Sequence, residues 1–112
     1  MDVTTVLDRE QLRDITMDDR DLMRDIVSAL LEDTAAQISL LETAVRNSDT
    51  QSCVRLAHYS KGACANVGAN RAAAVFKRIE FAAAHHELSQ CSESLAELAR
   101  ELELLQLESV KL

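Results

Sequence analysis

The sequence predicts an all-α protein: an antiparallel up-down-up-down four-helix bundle with a short additional N-terminal helix. Its 112 residues contain no proline and two glycines, and 47% are hydrophobic, chiefly the helix formers leucine and alanine. Apolar residues recur at steps of three and four, the period of an amphipathic helix. Short connections between long helices favour antiparallel neighbours. The length fits one domain, residues 1–112.

The first half of the chain predicts a short helix and a long one. Asp8–Asp14 is weakly amphipathic, and Thr16 is predicted to cap a second helix about 40 Å long. The buried face of that helix is predicted to consist of Met23, Val27, Leu30, Thr34, Ile38, Leu41 and Val45.

The second half predicts three more helices. Asp49 is a good N-terminal cap for the third helix, and Gly68 suits the left-handed backbone conformation that commonly ends a helix. Asn70 is predicted to cap the fourth, and Ser89 or Ser92 to start the fifth. The predicted buried positions of these helices are Ala57, Ser60, Cys64 and Val67, then Ala72, Val75, Phe76, Ile79 and Ala83, then Leu95, Leu98, Leu102 and Leu105.

The leucines of the fifth helix, at positions 95, 98, 102 and 105, form a heptad-like seam. A coiled-coil oligomer built on this seam is the competing architecture. The seam spans fewer than the three or four heptads that a coiled coil usually requires. A monomeric bundle is therefore favoured.

Charge and composition exclude several classes of protein. The net charge of −7 argues against a nucleic-acid partner, because binding there depends on neutralising phosphates. No apolar run approaches the roughly 20 residues needed to span a bilayer. The first residues lack an apolar signal core, and the three cysteines (Cys53, Cys64, Cys91) lack paired spacing. A cytoplasmic location without membrane insertion is expected.

Positive charge is concentrated in one part of the chain. Residues 50–79 contain no acidic residue and carry a charge of +5. The basic residues of this window are Arg55, Lys61, Arg71, Lys77 and Arg78. Such a local field favours an acidic or phosphorylated partner.

The window also contains the strongest candidate site. His58, Lys61, Gly62 and Ala65 recur at helical spacing and share one outward face of the third helix. A glycine inside a helix costs about 1 kcal/mol relative to alanine, which indicates that a partner approaches the backbone beside His58. An exposed imidazole is mostly neutral at pH 7 and keeps a nucleophilic nitrogen. These residues predict that His58 accepts a group from one protein and passes it to another.

The stretch "AHYSKGACANVGA", residues 57–69, resembles the signature of histidine-containing phosphotransfer (HPt) domains, H-x-x-K-G with a further glycine six residues on. The segment "LLEDTAAQISLLETAVRNSD" resembles the helix before it and its turn, and "IEFAAA" resembles the usual glutamate-containing end of the helix after it. The resemblance implies the same bundle, with His58 phosphorylated on the ring nitrogen that faces solvent. It also implies that Lys61 steadies the phosphoryl group and that Gly62 clears space for the partner. Ser60 departs from the family, which usually has a bulky apolar residue there; Tyr59 is a candidate to compensate.

The function implied by the resemblance is that of a phosphorelay intermediate. A phosphoryl group would pass from an aspartate on a receiver domain, usually of a hybrid histidine kinase, to His58 and then to an aspartate of a response regulator. The docking face would centre on His58, Gly62 and Ala65, with Arg55 and Tyr59 around it. The chain would need no cofactor of its own, and the receiver would bring Mg²⁺. Because no nucleotide-binding loop is present, autonomous kinase activity is not expected.

Two other classes of function remain open. The bundle could be a non-catalytic adaptor that docks a receiver domain or kinase without carrying phosphate. It could also be a metal or redox protein that uses His85, His86 and Cys91, although no spacing matches a structural zinc pattern. The cysteines are expected to be small core residues. Glu80 is predicted to lie on the solvated surface, paired with Lys77 or Arg78.

Overall fold

Five helices follow one another in a computed structural model that describes residues 4–112, so residues 1–3 of the predicted domain lie outside the described part. They are α1 (Arg9–Thr16), α2 (Arg20–Arg46), α3 (Thr50–Val67), α4 (Asn70–Ala84) and α5 (Leu88–Ser109). Each of the four long helices packs against two others, α2 against α3 and α5, and α4 against α3 and α5. This pairing confirms the predicted four-helix bundle, and α1 is the additional N-terminal helix. No helix among the described residues is long and apolar enough to cross a membrane.

Aspartates start the first three helices. Asp8, Asp19 and Asp49 each accept a hydrogen bond from the backbone N–H three residues on, which stabilises a helix N-terminus. The predicted cap Asp49 is thus confirmed, whereas the predicted cap Thr16 is wrong. Thr16 is the last residue of α1, and its hydroxyl donates to the carbonyl of Leu12 at 2.7 Å.

Gly68 ends α3 as predicted, with φ of +91°. A side chain there would also collide with the N-terminal segment, because an added Cβ would lie 3.0 Å from the Asp8 carbonyl oxygen. The Asp8 N–H donates to the Gly68 carbonyl at 2.8 Å. Gly68 therefore joins the start of α1 to the end of α3.

The predicted caps of the last two helices are wrong. Asn70 is the first residue of α4, is buried, and makes no capping hydrogen bond. The last helix begins at Leu88, one residue before Ser89, and its N-cap Glu87 makes no side-chain cap. Both helices follow tight turns, and the Glu87 N–H donates to the Ala82 carbonyl at 2.8 Å, which closes the end of α4 just before α5 begins.

The core is aliphatic and lies between the four long helices. The predicted α4 positions are all buried, and in α3 the small residues Ala57, Ser60 and Cys64 form the buried stripe. Four predicted core positions are only partly buried, namely Ile38, Val45, Val67 and Leu102. Small residues in that stripe bring α3 close to its neighbours, and the opposite face of α3 carries His58.

Candidate functional site

His58 lies in the middle of α3 and points away from the core. The buried stripe lies on the other side of the helix, so the imidazole is directed outward, and 68% of its side chain is exposed. The ring is therefore accessible to another macromolecule. Because α3 is packed on both sides by α2 and α4, the histidine is displayed on a rigid support.

One ring nitrogen of His58 is occupied by a neighbour. Nδ1 lies 3.0 Å from Oε2 of Glu80, on α4. An ionised carboxylate can only accept hydrogen bonds, so Nδ1 must carry the hydrogen. In the neutral ring the lone pair then resides on Nε2. The contact leaves Nε2 as the free nucleophilic nitrogen.

Glu80 also holds the lysine of the site. Its second oxygen, Oε1, accepts a hydrogen bond from Nζ of Lys61 at 2.8 Å, and both side chains are about a quarter to a third exposed. Partial burial tends to raise the pKa of Glu80, but the hydrogen bonds from Lys61 and His58 outweigh it, and the pKa lies below its ordinary value. Glu80 is therefore an anion that bridges the predicted nucleophile and the predicted cation.

Gly62 and Ala65 lie on the same face, beyond His58. A Cβ added at Gly62 would have no atom within 4 Å among the described residues, apart from its own helix. Packing inside the bundle thus does not require glycine at this position. Gly62 and Ala65 instead leave a low surface beside the imidazole.

Arg55 and Tyr59 flank His58 on the side of α2. The Tyr59 hydroxyl donates to Oδ2 of Asp33 at 3.1 Å, and this hydrogen bond raises the pKa of the tyrosine. The ring is 53% exposed, so Tyr59 does not fill the space expected for a bulky residue at Ser60. Arg55 is exposed and contacts the Ser52 hydroxyl at 3.4 Å.

Ion pairs with acidic side chains neutralise part of the positive charge of residues 50–79. Arg71 pairs with the buried Glu101 at 2.7 Å, and Arg78 pairs with Glu97 at 2.8 Å. Within residues 4–112, Arg55 and Lys77 make no ion pair. The unpaired positive charge of the window therefore lies on one arginine of α3 and one lysine of α4.

Glu80 is the residue of the candidate site that sequence reasoning misplaces. The sequence predicts Glu80 on the solvated surface with Lys77 or Arg78, whereas in the structure it contacts His58 and Lys61. One signal was available in the sequence, since Glu80 is the only acidic residue of α4. The register between two antiparallel helices was needed to use that signal, and the sequence does not provide it.

Two side chains of the other candidate site, those of His85 and Cys91, contact backbone carbonyls. His85 stacks on Phe81 and its Nδ1 lies 2.8 Å from the Phe81 carbonyl, while Cys91 Sγ faces the Ile79 carbonyl at 3.7 Å. No group of three or more potential metal ligands occurs among the described residues. The cysteines are buried core residues as predicted, and burial raises the pKa of Cys64 to about 12.

Comparison with known proteins identifies the family. A sequence model of the Hpt domain matches residues 25–108, while curated protein sequences give no match. Among solved structures, histidine-containing phosphotransfer protein B (HptB) from Pseudomonas aeruginosa PAO1 is similar, with a TM-score of 0.86 and 23% identity over 95% of this chain and 92% of that chain. That likeness supports the fold, and the sequence match covers most of the chain. The chain therefore belongs to the Hpt domain family, the histidine phosphotransfer proteins of phosphorelay signalling.

Proposed function

We propose that His58 carries the phosphoryl group, on Nε2, between aspartates of receiver domains in a multistep phosphorelay. One observation carries this proposal: His58 is exposed, and its Nδ1 contacts Glu80 at 3.0 Å, which leaves Nε2 free. The other two histidines, His85 and His86, lie at the end of α4 with no carboxylate on their rings among the described residues.

The proposed transfer needs no further reactant from this chain. The Nε2 lone pair attacks phosphorus in line with the bond to the donor aspartate. A nitrogen–phosphorus bond forms, the phosphorus–oxygen bond breaks, and the aspartate leaves as a carboxylate. The ring gains positive charge as it forms the bond, and the Glu80 carboxylate on Nδ1–H stabilises that charge. Transfer to the next aspartate reverses these steps.

Lys61 is proposed to offset charge on the phosphoryl oxygens. Its ammonium group lies one helical turn from His58 and is held by Glu80 at 2.8 Å. A lysine ammonium with three donors can bond Glu80 and still direct another hydrogen to a phosphoryl oxygen. Lys61 thus acts at the same time on the positioning carboxylate and on the group being transferred.

The proposed docking face consists of Gly62 and Ala65 beside His58, with Arg55 and Tyr59 at its edge. Gly62 offers no side chain to obstruct the partner, and the unpaired Arg55 suits the acidic phosphorylation pocket of a receiver domain. The partners are receiver domains of a hybrid histidine kinase or of response regulators. Mg²⁺ is expected on the receiver, where it counters charge during transfer.

The test is transfer of label from a phosphorylated receiver domain. We expect acid-labile, base-stable phosphate on this chain, and we expect none on His58→Gln. The matched controls are His85→Gln and His86→Gln, which remove the other imidazoles and should accept label as the unmodified chain does.

Labelling of His58→Gln would place the phosphoryl group elsewhere and contradict the assignment. Receiver binding without any labelling of the unmodified chain would favour the adaptor function instead. Binding can be measured separately with a receiver that cannot be phosphorylated.

A further inference from the structure

A cationic cavity lies at one end of the bundle, where α1 ends, α2 begins and the chain leaves α5. Its volume is about 450 Å³. Four of the chain's twelve basic residues line it, namely Arg9, Arg13, Arg20 and Lys111. This concentration occurs in a protein whose net charge is −7, so the chain's overall composition does not account for it.

Two of the four cations have no acidic partner. Arg9 pairs with Glu108 at 2.8 Å, and Lys111 approaches the same carboxylate at 3.9 Å. Arg13 and Arg20 make no ion pair within the described residues 4–112. Two guanidinium groups are therefore available to bind an anion, and guanidinium groups bind phosphate through paired hydrogen bonds.

The lining is not wholly polar. Leu112, which is partly buried, contributes apolar surface, and Met23 adds only a small area because it is 5% exposed. Asp18 is the one acidic side chain on the lining, and the Leu112 carbonyl there accepts a hydrogen bond from Arg24 at 3.3 Å. Cationic side chains around an apolar floor suit a small molecule that combines an anionic group with an apolar body.

The α1–α2 turn lies between the two unpaired arginines, Arg13 near the end of α1 and Arg20 at the start of α2. Met17 and Asp18 both have left-handed backbone, with φ of +55° and +63°, a conformation that non-glycine residues seldom adopt and that recurs at functional sites. The Asp18 N–H donates to the Arg13 carbonyl at 2.9 Å, which closes the turn. The turn thus places the end of α1 beside the start of α2.

Every residue of this lining falls outside residues 25–108, the part that matches the Hpt family. Neither α3 nor α4 contributes to it, so the cavity is separate from His58. It is built from the segments on either side of the residues that the family model matches.

We infer that this cavity binds a small phosphorylated organic molecule, with Arg13 and Arg20 on the phosphate oxygens and Met23 and Leu112 against the apolar body. Inorganic pyrophosphate and a nucleoside diphosphate both carry a diphosphate group, but only the nucleotide has an organic part that could contact the apolar lining. The cavity should therefore prefer the nucleotide.

The test is titration of the ¹⁵N-labelled full chain with ADP, followed by amide chemical shifts, with inorganic pyrophosphate in a parallel series. We expect the largest shifts at the α1–α2 turn and at the end of α5, and tighter binding of ADP than of pyrophosphate. The variant Arg13→Gln/Arg20→Gln should bind ADP at least about tenfold more weakly, because it loses hydrogen bonds between charged groups. Both side chains are exposed, so the fold should persist.

The matched control is Arg46→Gln/Arg100→Gln, which removes two exposed arginines that do not line the cavity. It should change ADP affinity less than about twofold, since distant exposed charges are largely screened. If both double variants lost ADP affinity equally, the binding would be non-specific charge attraction and the proposed site would be wrong. The absence of chemical-shift changes at the α1–α2 turn would overturn the site as well. Pyrophosphate binding as tightly as ADP would overturn the role of the apolar floor.

Discussion

The imidazole of His58 and the carboxylate of Glu80 meet across two helices, with Nδ1 3.0 Å from Oε2. The same carboxylate receives Lys61 Nζ at 2.8 Å. One residue of α4 therefore positions both side chains of α3 that the proposed chemistry requires. It also decides which ring nitrogen is free, because the carboxylate can only accept.

We expect Glu80→Gln to slow phosphoryl transfer about tenfold, the kinetic equivalent of about 1.4 kcal/mol for a hydrogen bond to a charged group. A neutral amide retains the shape but loses the charge that fixes the ring and stabilises the phosphorylated form. The measurement is the transfer rate at several receiver concentrations. The loss should appear in the maximal rate, with the half-saturating receiver concentration nearly unchanged.

Glu97→Gln is the control for that experiment, since it breaks the surface ion pair with Arg78 between α4 and α5. It should transfer at the unmodified rate. If Glu80→Gln also transferred at that rate, Glu80 would have no positioning role.

Stability should depend on the ionisation of Glu80. Its pKa in the folded chain is lowered from an unfolded value of about 4.3, so the ionised form favours folding. This stabilisation is present above the unfolded pKa and is lost as pH falls through the folded pKa. Urea denaturation should therefore show the unmodified chain to be more stable than Glu80→Gln at pH 5, with a difference that shrinks below about pH 4. A difference that grows on acidification would have the wrong sign for this account.

Substitutions at Gly62 should affect the stability of the fold and the binding of a receiver domain differently. No described residue outside the helix backbone around Gly62 lies within 4 Å of an added Cβ, so Gly62→Ala should raise the free energy of unfolding by up to about 1 kcal/mol through helix propensity. Gly62→Glu should remain folded but lose receiver binding, because a charged side chain would then project beside His58. Circular dichroism with urea measures the first effect, and a receiver titration the second. Normal binding by Gly62→Glu would remove clearance as the explanation of this glycine.

Ser60 should be a destabilising residue of the core. It is 2% exposed, and its hydroxyl has no hydrogen-bond partner in the described part of the chain. Since a buried unsatisfied polar group costs about 1–3 kcal/mol, Ser60→Ala should raise the free energy of unfolding by about 1 kcal/mol. The control is Ser28→Ala at an exposed position of α2, which measures the change in stability that comes from helix propensity alone. A loss of stability in Ser60→Ala would show that the hydroxyl makes a bond that the account lacks.

The helices and the histidine face could be predicted because both follow from local periodicity. The face containing His58, Lys61, Gly62 and Ala65 is set by helical spacing alone. Asp49 and Gly68 were predictable for a similar reason, since caps act within a few residues of their own positions.

The wrong predictions concern which of several residues caps a helix and how two packed helices are offset along their axes. Thr16 was a plausible cap for α2, but the left-handed turn at Met17 and Asp18 moves the start of α2 to Arg20, and Asp19 is the cap. Glu80 reaches His58 only because α4 packs on α3 with one particular offset. Such an offset depends on how the whole core packs, and periodicity within one helix does not specify it.

The most direct test of the central claim is the position of the phosphoryl group on the ring. The chain, labelled with ¹⁵N in its histidines, can be phosphorylated by a receiver domain and examined for nitrogen–phosphorus coupling by NMR. We predict coupling to Nε2 of His58 alone. Coupling to Nδ1 of His58, or to either nitrogen of His85 or His86, would contradict the account.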